Sequence, residues 1–486
     1  MNIELLYILI LVIPLLTAAS VLICRKNPNI RESVTLIGGI SLFFVVVKLA
    51  LDYDFEQTVT LTLIEPFAGL SLALRLEPLG LIFTLVAGFL WPVTSLYSIG
   101  YMRSHHEKNQ TRFYTAFAIS IFATMAIAIS ANLLTLFIAY ELLTLFTLPL
   151  VTHAGTEAAR RAGWTYLGIL MTTSIGFLLL AIIWTYSLTG TLEFTPGGIL
   201  DGKAEPAILG ALLLLFVFGT GKAALMPFHR WLPAAMVAPT PVSSLLHAVA
   251  VVKAGVFTIM KVSVYIFGID LISSLDTAYW LSLLAGFTIL SASIIAMTKD
   301  NLKARLAYST ISQLSYIILA AMLGVATGVY AGSLHIIMHA FAKITLFFCA
   351  GAILVSAHKS RVSELNGIGR AMPLTMLAFL LASLSIVGLP PLGGSWSKWL
   401  LLQATMEVHN MVLLIVLLVS SFLNLFYLVE IPIRGFFAKP IDPNYNNGIK
   451  EAPIFSLIAI LITTTGCLTL FFLVNPAWNL VEKILR

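Results

Sequence analysis

The chain has 486 residues, of which 59% are hydrophobic and 10% charged, and its mean hydropathy is +0.98. A soluble domain carries about 25% charged residues, so the composition excludes a water-soluble protein and calls for a polytopic membrane protein, all-α in class. The formal charge of +6 is dispersed through short connections, which argues against a nucleic-acid surface.

A helix needs about 20 apolar residues to cross a hydrocarbon core of about 30 Å. On that measure about fourteen spans follow in order: 4–24, 34–52, 77–101, 113–130, 132–152, 163–188, 205–226, 239–267, 277–297, 304–323, 327–356, 372–400, 410–434 and 453–475. The first run resembles a signal peptide at TAAS, but Glu4 precedes it and Arg25 and Lys26 follow it, so it is expected to stay as a span. The connection 53–76 carries TVTLTL, whose alternation predicts strands or a hairpin. No connection has room for a soluble domain, so 1–486 is read as one transmembrane domain.

Charge supports this order. Connections after odd-numbered spans hold Arg25, Lys26 and Arg31, then Arg103, Lys108 and Arg112, and continue alike to Arg434, Lys439 and Lys450, together 18 of the 28 Lys and Arg. The intervening ones are acidic or neutral, as with Asp52, Asp54, Glu56 and Glu65. The positive-inside bias then places both termini outside.

Ionisable residues lie deep in several spans. Glu141 is mid-helix in NLLTLFIAYELLTLFTLPL, and a carboxylate at that depth is rare and functional by default, with a structural ion pair as the plainer reading. Span seven reads LLLLFVFGTGKAALMPFHRWLP, where Gly219 and Gly221 approach Lys222 and Pro227 follows. Span eight holds His247 and Lys253, with Lys261 expected to snorkel to the interface. Span eleven carries His335, His339 and Lys343 at i, i+4 steps, hence on one face. That row reads as exchangeable protons or as helix-packing polar residues. H-x-x-x-H has no evident third ligand, so no metal is expected. In span twelve Gly388, Pro390, Pro391, Gly393 and Gly394 precede Lys398.

Two helices whose hydrogen-bond ladders break beside a lysine are tolerable where protein or a water-filled cavity satisfies the freed backbone, although glycines also serve close packing. The two lie five spans apart and so run in opposite directions, as in an inverted repeat around an ion path. Cys24, Cys349 and Cys467 are isolated, which indicates neither a disulfide framework nor an iron–sulfur cluster; no cofactor is expected.

At KAALMPFHRWLPAAMVAPTPVSSLLHAVAVVKAG, TKDNLKARLAYSTISQLSY, HAFAKITLFFCAGAI and GLPPLGGSWSKW the chain resembles the antiporter-like subunits shared by complex I, Mrp-type cation/proton antiporters and membrane-bound hydrogenases. The resemblance implies fourteen helices with two inverted five-helix repeats, approximately 113–267 and 277–434, in a bacterial inner membrane with other membrane subunits as partners. It also implies a proton path: Glu141 with Lys222, then Lys253 with His247, then Lys343 with His335 and His339, ending at Lys398. The chain ends soon after span fourteen, Lys398 stands where the complex I subunit of similar length has Glu, and WLPAAM lacks an acidic residue after WLP. These departures favour the D-type subunit of Mrp antiporters over a redox-driven pump subunit. A scaffold, or an energy-coupling subunit for inorganic-carbon uptake, is the alternative of a different class.

Overall fold

The computed structural model describes residues 2–55, 57–67, 69–446 and 448–485, so Glu56 lies outside the described residues. Helices begin where a short polar side chain precedes an apolar run. Asn2 caps α1 (Ile3–Ile23), Asn27 caps α2 (Pro28–Asp52), Asn132 caps α5 (Leu133–Val151), and Thr156 caps α6 (Glu157–Thr189), each accepting from a first-turn amide. Between α2 and α3 (Pro78–Ser104) lies the expected hairpin, β1 (Thr60–Phe67) antiparallel to β2 (Leu70–Arg75). Its second strand is stitched to the turn between α4 (Gln110–Ala128) and α5 by Arg75 N to Ile129 O at 2.8 Å and Ala131 N to Ala73 O at 2.9 Å.

After α6 come α7 (Pro206–Gly219), α8 (Thr240–Phe267), α9 (Asp276–Thr298), α10 (Leu302–Met322) and α11 (Ala326–Ala357). The chain closes with α12 (Pro373–Val387), α13 (Gly394–Glu407), α14 (Met411–Phe437) and α15 (Ile454–Phe472). Among the described residues, 11 helices are long and apolar enough to cross a membrane. The other three expected spans are different in kind: α7 stops at 14 residues, 372–400 divides into α12 and α13, and α10 has 21 residues but a polar sequence.

The bundle has a centre and a lipid-facing rim. The most apolar window of α8 is 100% buried and that of α3 78%, against 28% for α2 and 33% for α15. Ile37, Phe44 and Phe422 project outward, which suits hydrocarbon rather than water. Both lysine-bearing segments break as expected. α7 ends at Gly219, and a single 3-10 turn, Gly221–Ala223, carries Lys222. α12 ends at Gly388, whose φ of 92° is a left-handed conformation suited to glycine.

Gly255 lets α8 lie directly on the first break, because a Cβ there would meet the backbone of Lys222 and Ala223. Gly255→Ala is expected to cost about 1–3 kcal/mol through overpacking. The measurement is thermal unfolding in detergent; an unaltered melting temperature would mean that α8 can shift away without loss.

Candidate functional site

Seven ionisable side chains predicted from the sequence are buried. Lys222, His247, Lys253 and Lys343 are each 0% exposed, His339 1%, His335 5% and Lys398 7%. An ammonium so placed must direct its N–H groups at fixed acceptors.

The first break supplies them from α5. Lys222 Nζ donates to Tyr140 O at 2.9 Å and to Thr144 Oγ1 at 2.6 Å, and lies 3.2 Å from the Tyr140 ring centroid. Its backbone N–H donates to the Tyr140 hydroxyl at 3.1 Å, and Trp231 Nε1 donates to Gly221 O at 3.0 Å, so an indole takes up a carbonyl in the break. Glu141 is the neighbour of Tyr140, yet both of its carboxylate oxygens are buried without a hydrogen-bond partner. The expected Glu141–Lys222 pair therefore acts through the electric field and not through contact.

The centre is joined across helices. Lys253 Nζ on α8 is 2.7 Å from His339 Nδ1 on α11, and the His339 and His335 rings are 5.8 Å apart. His335 Nδ1 is 2.9 Å from Ser397 Oγ on α13, and its ring stacks on Tyr316 of α10 at 5.6 Å. Lys398 follows Ser397 in the chain; its Nζ sits 4.9 Å from the Tyr316 ring centroid and donates to Ser421 Oγ at 3.0 Å and Val387 O at 3.2 Å. Lys253, His339, His335, Ser397 and Lys398 thus form a row.

Two expected members take other places. His247 does not touch Lys253: it sits in a π turn of α8, Leu245–Val249, with its ring 4.5 Å from Phe347 and both nitrogens without a partner. Lys343 branches away from the row, donating to Ser309 Oγ on α10, which also accepts from the Tyr427 hydroxyl at 3.0 Å. The helix-break residues Gly219, Gly221 and Pro227, and Gly388, Pro390 and Pro391, lie in the two interruptions, and Gly388 and Pro390 line a cavity of about 680 Å³ that reaches Lys398.

Sequence reading missed the hydroxyl partners. Thr144, Ser309, Ser397 and Ser421 each contact one of the predicted lysines or histidines. One signal was available: Ser309, Ser312, Gln313 and Tyr316 recur at helical spacing on α10, and all are buried. Lys261 was misread. It does not snorkel but is 0% exposed, with Nζ 3.2 Å from Glu77 Oε2 and 2.6 Å from Ser130 O. Its carboxylate partner is distant in sequence, so no local pattern exposes the pair.

Residues 130–424 match the family model described as NADH:quinone oxidoreductase/Mrp antiporter, transmembrane. The chain is 30% identical to NADH-quinone oxidoreductase subunit N of Desulforudis audaxviator, covering 82% of each chain. It is 29% identical to subunit L of the Campylobacter jejuni NADH-quinone oxidoreductase over 84% of this chain and 67% of that protein. It is also 29% identical to a Na(+)/H(+) antiporter subunit of Alkalihalophilus pseudofirmus, over 91% of this chain and 59% of that longer protein. In fold it is similar to a chain of an archaeal membrane-bound sulfane sulfur reductase, with a TM-score of 0.87, 22% identity and 99% and 98% coverage of the two chains. A chain of the Mrp complex from Dietzia sp. DQ12-45-1b gives a TM-score of 0.87 at 20% identity, with 100% and 97% coverage. With the match spanning both broken helices and most of the buried row, the chain belongs to the transmembrane NADH:quinone oxidoreductase/Mrp antiporter family.

Proposed function

We propose that this chain is the proton-translocating subunit of a multisubunit Na+/H+ antiporter, of the D type found in Mrp assemblies, working beside other membrane subunits in a bacterial inner membrane. The observation that carries this reading is the buried row from Lys253 through His339, His335 and Ser397 to Lys398, in which nearly every member can both take and give a proton. The two broken helices, each with its lysine, are read as counterparts in inverted repeats of approximately 113–267 and 277–434, and the alternation of basic connections places both termini outside.

Burial favours a neutral amine, and a nearby carboxylate field favours the ammonium. Glu141 acts on Lys222 through its field, so a change in the charge of either group alters the proton affinity of the other. Moving one elementary charge through 100 mV costs roughly 2.3 kcal/mol, and one pKa unit is about 1.36 kcal/mol; a swing of about two units per site is therefore sufficient. The change at Glu141 and Lys222 is passed electrostatically to Lys253 and Lys343 and along the row to Lys398. The row is rich in nitrogen and hydroxyl groups, whereas sodium needs several oxygen ligands, so sodium exchange is assigned to a partner or to an interface.

A redox-driven proton-pumping subunit is the second reading, favoured by the match to quinone oxidoreductase subunit N over 82% of both chains. Gentle purification separates the possibilities. Small hydrophobic co-purifying chains are expected; iron–sulfur proteins would assign the chain to redox drive, and a large zinc protein to carbon uptake.

Glu141→Ala, in a complex that still assembles, is expected to lower sodium-dependent proton movement in vesicles at least tenfold. A near-normal rate would remove Glu141 from the path. Lys253→Arg is expected to be as damaging as Lys253→Met, because a guanidinium keeps its proton, whereas a merely structural Lys253 would tolerate arginine; the same vesicle assay reads both.

A further inference from the structure

A second group of buried charges lies where α3 and α8 meet the hairpin. Lys261 Nζ contacts Glu77 Oε2 at 3.2 Å, and Arg75 Nη2 is 3.5 Å from Glu77 Oε1. Glu193 completes the cluster, 3.4 Å from Arg75 Nη1. Formally the four cancel, but solvent decides otherwise. The Glu193 side chain is 40% exposed and screened by water, whereas those of Arg75, Glu77 and Lys261 are 17%, 9% and 0% exposed. The buried part holds two cations and one anion.

Its position gives that excess charge a task. A cavity of about 390 Å³ reaches Arg75, Glu77 and the Tyr265 ring from the hairpin side, and Lys261 is not among its lining residues but stands behind Glu77. On the other side, Lys253 is eight residues earlier on the same helix, about 12 Å away at 1.5 Å per residue. A fixed positive charge at a constriction excludes cations, hydronium included.

We propose that Lys261, oriented by Glu77, is an electrostatic barrier that keeps protons and sodium in the hairpin-side cavity from entering the row at Lys253 uncoupled. This rests on the reading of that row as a proton path. Lys261 is a positioning and selectivity residue, and its charge is what matters, not the release of its proton.

The test uses the whole assembled complex in proteoliposomes, with passive decay of an imposed pH gradient followed by an entrapped dye and no sodium gradient. K261M is expected to accelerate decay about tenfold, and K261R, which keeps the charge, to remain as tight as wild type. An assembled K261M complex that stays tight overturns the proposal. So does K261R leaking like K261M, since the proton and not the charge would then matter. Should K261M fail to assemble, K261Q is read by the same criteria. K222M is run alongside: it is expected to lose sodium-driven transport without leaking. Retained transport in K222M would defeat the proton-path reading, whereas a tight K261M membrane defeats only the barrier.

Discussion

The rest of the architecture depends on how a buried ammonium is solvated without bulk water. Each lysine brings up to three N–H donors, and in hydrocarbon an unmet donor costs several kcal/mol. The partners come from neighbouring helices: Tyr140 and Thr144 for Lys222, His339 for Lys253, Ser309 for Lys343, and Ser421 for Lys398. These partners have to be aimed, and aiming requires rigid helices packed at the centre. That requirement explains why α8 is wholly buried, and why α10, which lends Ser309 and Tyr316, is too polar to qualify as an ordinary span.

The two breaks meet the same need in different ways. In the first, Lys222 lies within the interruption itself and the freed Gly221 carbonyl is taken by Trp231. In the second, Lys398 lies in α13, beyond the interruption, and its ammonium donates to Val387 O, the last residue of α12. A helix C-terminus bears the negative end of the backbone dipole, so α12 itself contributes to holding the Lys398 charge. Neither ammonium has a hydrogen-bonded carboxylate; each is held by dipoles, hydroxyls and an aromatic face. Such partners stabilise a charge without fixing it permanently, which suits groups proposed to change protonation.

Hydropathy made eleven spans and both interruptions legible because length, glycine and proline act locally, and strand alternation did the same for the hairpin. The deep lysines and histidines were equally readable, since charge in an apolar run stands out. Their pairing was not. Lys253 with His339 joins residues 86 apart, and Lys261 with Glu77 joins two elements that only the folded bundle brings together. Periodicity places a residue on a face but does not say which helix that face will meet. The π turns of α8, Leu245–Val249 and Ser263–Phe267, were also unread, because one extra residue in a turn leaves little trace in an apolar sequence. The first of them carries His247, so its rotation relative to Lys253 could not be inferred from spacing alone.

The chemistry of the row bears on which ion this chain carries. Imidazole and amine nitrogens exchange protons readily but are poor ligands for sodium, a hard cation that favours oxygen. Hydroxyls suit either ion, yet here Thr144, Ser309 and Ser421 are already engaged by ammonium groups. A sodium ion entering the row would have to displace a tethered cation and then lie beside others. Protons add no extra body to accommodate; they change the charge of groups already in place. A central row built from lysine and histidine is therefore suited to proton movement, and the oxygen-rich coordination that sodium needs belongs to another surface of the assembly.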